Sequence, residues 1–214
     1  MLRSNILLIS LLLPLWADEF TPSASTDTAH TQCTVNTFYG YPPDGPGGDG
    51  FPSCSADSGG SSNFVSGSLS APNYVYRPVF VRFDTSSIPD AATVTAVSLK
   101  IDVTSIADND SFTLRVGYAS SGAWPITTSD YTTSPATNAH SGTALGSLVD
   151  DAVNTLALTN LTNISKTGYT ALVLSLPPSS TPSGLNSVVF SLPLILDVTY
   201  EGISHPFVVI VTGD

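Results

Sequence analysis

The sequence predicts an all-β domain, an antiparallel sandwich or barrel, and three observations carry that expectation. The stretch RPVFVRFDTSSIPDAATVTAVSLKI, residues 77–101, alternates side-chain character at a period of two on either side of a polar break. Further short runs rich in β-branched residues follow, parted by Gly, Pro, Asn and Asp turn signals, with no internal repeat of solenoid length. No window joins a helical period to helix caps, and the one helical candidate is a single turn around Ser129 to Tyr131.

Residues 1–17 stand apart. Arg3 precedes an apolar run from Ile6 to Trp16, interrupted by Pro14, and Ala17 then meets acidic Asp18 and Glu19. That is the pattern of a secretory signal peptide cut after Ala17, although Leu15 is large for its place before the cut. The competing reading is a retained apolar arm that docks on a neighbouring subunit. The run is too short for a membrane span. Residues 18–61 form the next portion: an extended segment to 36, then a Gly/Pro-rich loop and the polar tract SADSGGSSN at 55–63. Cys33 and Cys54 bracket that loop, TVNTFYGYPPDGPGGDGFPS. A disulfide there suits a secreted chain and contributes about 3 kcal/mol through loop entropy. Two free thiols are the alternative, and a zinc site needs more ligands than two.

Strands are expected at 64–69, 75–84, 93–103, 111–118, 153–158, 169–176, 187–199 and 206–212. In the second, Val79, Val81 and Phe83 share one face, with Phe80 and Arg82 on the other. In the third, Val94, Ala96 and Ser98 oppose Val97, Leu99 and Ile101. Between them Pro89 holds Ile88 extended, so that Ile88 dips into a core as a pin, and Asp90 suits a turn.

Composition narrows the function. The 214 residues carry a net charge of −11 and only six Lys and Arg, which makes nucleic acid an unfavourable partner. Ser, Thr, Gly and Pro supply the polar surface in place of Lys and Glu, as suits an extracellular, cell-surface or virion-surface protein. Catalysis finds no support: there is no G-x-S-x-G, and GYASSG at 117–122 has the wrong spacing. His30, His140 and His205 lie far apart, and Glu19 and Glu201 are the only glutamates. For calcium, Asp108 and Asp110 in the DND run offer hard oxygen ligands, as do Asp44 and Asp49, against the simpler reading of local turn caps. No other cofactor is expected. For a polysaccharide, Tyr39 and Tyr41 in the cysteine loop and Trp124 and Tyr131 in the 118–152 connection offer platforms, against the simpler reading that these rings pin loops. Asn109, Asn160 and Asn163 begin glycosylation sequons.

Residues 77–101, together with NTLALTNLTNISKTGYTALVLSL at 154–176 and PLILDVTYEG at 193–202, resemble the motifs of DNRLRE-type domains in their order. The resemblance covers about 62–202 and implies a single jelly-roll β-sandwich, found in secreted bacterial proteins, carbohydrate-binding modules and phage structural proteins. It implies a core built on Phe83 and Ile88, with Arg82 and Asp84 flanking a crossover and free to pair, for about 0–1 kcal/mol. The cysteine loop and the end, residues 203–214, depart from the family's pattern. There Phe207, Val208, Val209, Ile210 and Val211 make a continuous apolar strand with no Lys to blunt an edge. Its own sheet or a neighbour must cover it. The expectation is therefore a non-enzymatic structural or adhesive subunit of an extracellular assembly, a virion surface or cell-surface filament, that self-associates into a homopolymer through its chain ends. The alternative is a secreted carbohydrate-binding module.

Overall fold

The computed structural model describes residues 15–22, 27–35, 53–58, 63–70, 73–119, 124–130, 137–177 and 182–202. The strands are β1 (Trp16–Phe20), β2 (Thr28–Val35), β3 (Ser53–Ser58), β4 (Phe64–Ser70), β5 (Asn73–Arg77), β6 (Val79–Asp84), β7 (Thr93–Asp108), β8 (Thr113–Tyr118), β9 (Thr137–Ala144), β10 (Ala152–Ala157), β11 (Tyr169–Ser175) and β12 (Asn186–Glu201). Short 3-10 turns occupy Thr128–Asp130, Leu145–Ser147 and Leu161–Asn163, the first at the expected place.

All pairings are antiparallel, in the order β10-β7-β12-β4-β5-β2-β6-β11-β8-β9, with β1 on β12 and β3 on β2. The expected all-β class holds. The jelly-roll connection pattern is a finer statement than this order makes. The sheet folds over one core, since Leu99 and Ile101 of β7 and Phe190 and Leu196 of β12 cluster with Val81 and Phe83 of β6, Leu114 of β8 and Leu172 of β11. Pro78 marks the corner. It has no N–H to give a ladder, and it parts β5, which pairs with β4, from β6, which pairs with β11. Strand β2 runs beside both and joins the two layers.

The far ends of the sheet also meet. The Thr159 N–H donates to the Ala139 carbonyl at 2.6 Å, and the Asn160 amide to the Asn138 carbonyl at 2.7 Å. These bonds tie the chain leaving β10 to β9.

The long pair β7–β12 corrects one expectation. Thr199 faces Ala96 while Tyr200 faces Val94, so Thr95 is an extra residue on β7. A one-residue bulge reverses which parity points inward. Val94 therefore packs on the core beside Val97 and Leu99, not with Ala96 and Ser98. In β12, Ser191 faces Asp102 and Ile195 faces Lys100, four steps against two. Two extra residues preserve parity, so Phe190, Leu194, Leu196 and Val198 all point inward.

The sequence placed no strand at β1, β2, β3 or β9, reading 18–36 only as an extended segment, and it drew β5 and β6 as one. The cut expected after Ala17 falls inside β1, whose residues 16–20 run opposite Tyr200 to Leu196. The apolar strand Phe207–Val211 lies outside the described residues, and no described helix is long and apolar enough to cross a membrane.

Candidate binding site

The outward face of β6 and β11 is not bare sheet. Inward, Val79, Val81 and Phe83 enter the main core; outward, Phe80 and Val173 join Ala29 and Ile126 in a second cluster, against which Ala119 and Trp124 pack. Residues of β11 from Thr170 to Ser175 are accordingly buried on both faces, which is why its sequence reads as a nearly continuous apolar run. At the margin of this cluster stands Arg82. Its guanidinium carbon lies 4.7 Å from the Trp124 ring centre and 4.3 Å from that of Tyr169, within cation–π range of both. Its Nε donates to the Asp27 carboxylate at 2.8 Å, and its backbone N–H to the Asp27 carbonyl at 2.9 Å. The pairing is local in space but not in sequence: Tyr169 sits opposite Asp84 in the β11–β6 ladder, and Asp27 immediately precedes β2.

This corrects the expected partner of Arg82. Asp84 shares its face by parity, yet it ends the strand and turns to accept from the Ser86 N–H at 3.1 Å and hydroxyl at 2.6 Å. A carboxylate at a strand end caps the following turn at little cost, whereas Arg82 meets the largely buried acid that leads into the adjoining strand β2. Those Ser86 hydrogen bonds hold the exposed Asp84 carboxyl below its ordinary range.

The other charged groups tie elements together. Lys100 of β7 reaches Asp197 of β12 at 2.7 Å and Glu19 of β1 at 2.8 Å, and both acids raise its pKa, Asp197 more. The Tyr200 hydroxyl donates to Asp18 at 2.8 Å. His30 lies 3.2 Å from the Arg77 guanidinium; burial first, then that cation, lowers its pKa. Burial pushes the Tyr118 phenol up to about 12, and its hydroxyl donates to the Thr159 carbonyl.

Each expected site residue can now be placed. Cys33 and Cys54 form the disulfide and face each other across β2 and β3. Trp124 sits on Arg82 and the second cluster; Tyr39, Tyr41 and Tyr131 lie outside the described residues. Asp108 and Asp110 are drawn apart in role. Asp108 accepts from the Phe112 N–H at 3.0 Å. Asp110 accepts from the Ser183 N–H and hydroxyl and, at 2.6 Å, from the Asn186 amide, which ties the 109–112 turn to the approach to β12. Those donors, the Ser183 hydroxyl foremost, lower the Asp110 pKa. Among the described residues no three His, Cys, Asp or Glu side chains converge on a common point.

Sequence reasoning missed Asp27 and Tyr169 as companions of Trp124. A faint signal existed: Arg82 is a lone cation beside Phe80 on the outward face of a strand, in a chain with six Lys and Arg in all. Chemically the cluster offers two π-faces, a guanidinium edge and a carboxylate, a set suited to stacking on a planar or sugar ring. No protein-family model matches the chain, and no curated protein matches it.

Proposed function

We propose that the protein is a non-enzymatic structural or adhesive subunit of an extracellular assembly, on a virion surface or a cell-surface filament, associating through β-strands at its chain ends. One observation carries this reading. Strand β1, near the start of the sequence, lies along the edge of β12, the last described strand, and completes the sheet there. Main-chain bonds, the Lys100–Glu19 and Tyr200–Asp18 contacts and the buried Phe20 ring hold it. At its start stand Leu15, 67% exposed, and Trp16, its first residue, 48% exposed. Such an edge, with apolar side chains at its rim, is a place where a strand of another copy can add. The resemblance of 62–202 to domains of secreted and phage structural proteins agrees with it, and the disulfide suits an oxidising compartment. Sedimentation across a concentration series tests the reading. Concentration-dependent association of the full chain is expected, weakened by Trp16→Lys or by deletion of 204–214 with the fold retained. A full chain that stays monomeric at the highest concentration overturns it.

The second reading, a carbohydrate-binding module, draws on the Trp124–Arg82–Tyr169 stack, where Tyr169 is 37% exposed. Retention on insoluble polysaccharide, lost in a folded Trp124→Ala variant, would move the assignment to it.

A further inference from the structure

The corner at Pro78 is thinly bonded. Strand β2 meets β5 from Cys33, opposite Tyr76, and it meets β6 up to His30, opposite Val79. Thr31 and Gln32 lie between, with no ladder partner on β5 or β6, and Pro78 has no N–H to offer them. The hydroxyl of Thr31, a fully buried residue, also finds no partner among the described residues. Across this gap reaches a side-chain contact, an Arg77 guanidinium nitrogen 3.2 Å from His30 Nδ1.

A guanidinium only donates and keeps its charge, so Nδ1 must accept and the imidazole must be neutral. The rest of Arg77 is poorly satisfied. It ends β5 opposite Ser66, its guanidinium carbon stands 5.4 Å from the Phe64 ring centre, and its buried Nε has no partner among the described residues. No described carboxylate comes within ion-pair reach of it. Losing the imidazole would therefore leave more buried donors unmet. Two charged groups face His30: Arg77 from β5, and exposed Asp57, opposite it in the ladder, from β3. On β6, Arg82 is taken by Asp27, and Asp130, in the turn that packs on β2 and β3, caps Thr127.

We propose that the His30–Arg77 contact is an acid-released latch on the joint between the two layers of the sheet. Protonation turns the Nδ1 acceptor into a donor that faces a guanidinium, which removes the bond and sets two cations against each other. Burial first, then Arg77, lowers the His30 pKa, against a smaller rise from Asp57. The folded chain thus binds that proton more weakly than the unfolded one. The stabilisation is complete above the ordinary 6.5 and is lost as pH falls through the lowered value. The latch stands apart from both readings of function, and it puts the acid-sensitive point on the strand that joins the layers.

Magnetic-resonance titration of the full chain tests it, with the His30 ring assigned through its backbone. A midpoint below 6.5 is expected. Melting temperatures are then followed from about pH 8 to about pH 5 beside His30→Gln, which keeps an acceptor and takes up no proton in that range. The wild type should lose more than the variant as pH falls, so that the gap between them changes with pH. Native-state hydrogen exchange locates the effect: protection should drop first in β2 and β5, ahead of the β7–β12 pair. A midpoint at or above 6.5, a gap constant with pH, or protection lost evenly across the sheet each overturns the proposal. The titration and the exchange use the unaltered chain, so they decide the matter even if His30→Gln fails to fold.

Discussion

Ile88 shows how far single residues could be read in advance. Pro89 after it and the polar FDTSS before it marked a loop, and an apolar residue held extended inside a polar loop has few places to go but inward. It is 1% exposed, in the same core as Phe83 and Leu99. Ile88→Ala should therefore cost about 2–5 kcal/mol, the range for a fully buried aliphatic, as measured by urea unfolding. A loss under 1 kcal/mol means that the loop closes around the gap. Arg82 was less legible, because its partners, Asp27 just ahead of β2 and Tyr169 on β11, are far from it in sequence, and spacing carries no trace of such neighbours. Asp110 was legible as a loop acid but not in its role. Its folded pKa is held below the ordinary 3.8 by Ser183 and Asn186. The folded state thus binds the proton more weakly than the unfolded chain. The stabilisation is complete above the ordinary value and is lost as pH falls through the lowered one. The melting temperature of Asp110→Ala should lie below wild type at pH 7, and the gap should shrink as pH drops through that window. A gap that is constant with pH means that the carboxylate's charge is not what holds the two turns.

At the scale of elements, alternation found the strands that face the main core and little else. Strands β9 (TNAHSGTA) and β3 (SCSADS) have almost no apolar period; β9 is held by β8 and by bonds from Thr159 and Asn160, and β3 by β2 and the disulfide. Local sequence cannot report a strand whose reason is its partner. The bulge at Thr95 was hidden for the same cause, since register belongs to the pair, and with it went the correct face of Val94. Strand β1 was masked by its resemblance to the end of a leader. Its docking mixes two kinds of contact of unequal weight. Phe20 is 8% exposed against Leu196 and the core, whereas the Lys100–Glu19 pair is open to solvent. Phe20→Ala should cost about 3 kcal/mol, and Lys100→Ala, which removes only solvent-screened charge pairs, far less. Hydrogen exchange along β12 from Leu196 to Tyr200 should speed up in the first variant and barely change in the second. The reverse order would place the anchor of β1 in its charges.

For the whole molecule, the question is whether the N-terminal elements form a unit of their own. Among the described residues strand β3 pairs only with β2, but β2 pairs also with β5 and β6 and thereby holds both layers of the sheet together. Thr28 and Thr31 of β2 are fully buried, and Ala29 belongs to the outer cluster with Phe80 and Val173. The disulfide between Cys33 and Cys54, 21 residues apart, therefore restrains a strand on which both layers depend. In the chain-entropy account, opening a loop of that length relaxes the unfolded chain and removes about 3 kcal/mol of stability. For a domain of this size that corresponds to a fall in melting temperature of roughly 10 °C. Replacing both cysteines with alanine should lower the melting temperature by about that amount while leaving one cooperative transition, because β2 cannot detach without opening the core beneath it. Calorimetry decides the matter. Two separated transitions in the variant, the first removing only the β2–β3 signal, would show that the N-terminal hairpin folds apart from the rest and that the layers are joined elsewhere.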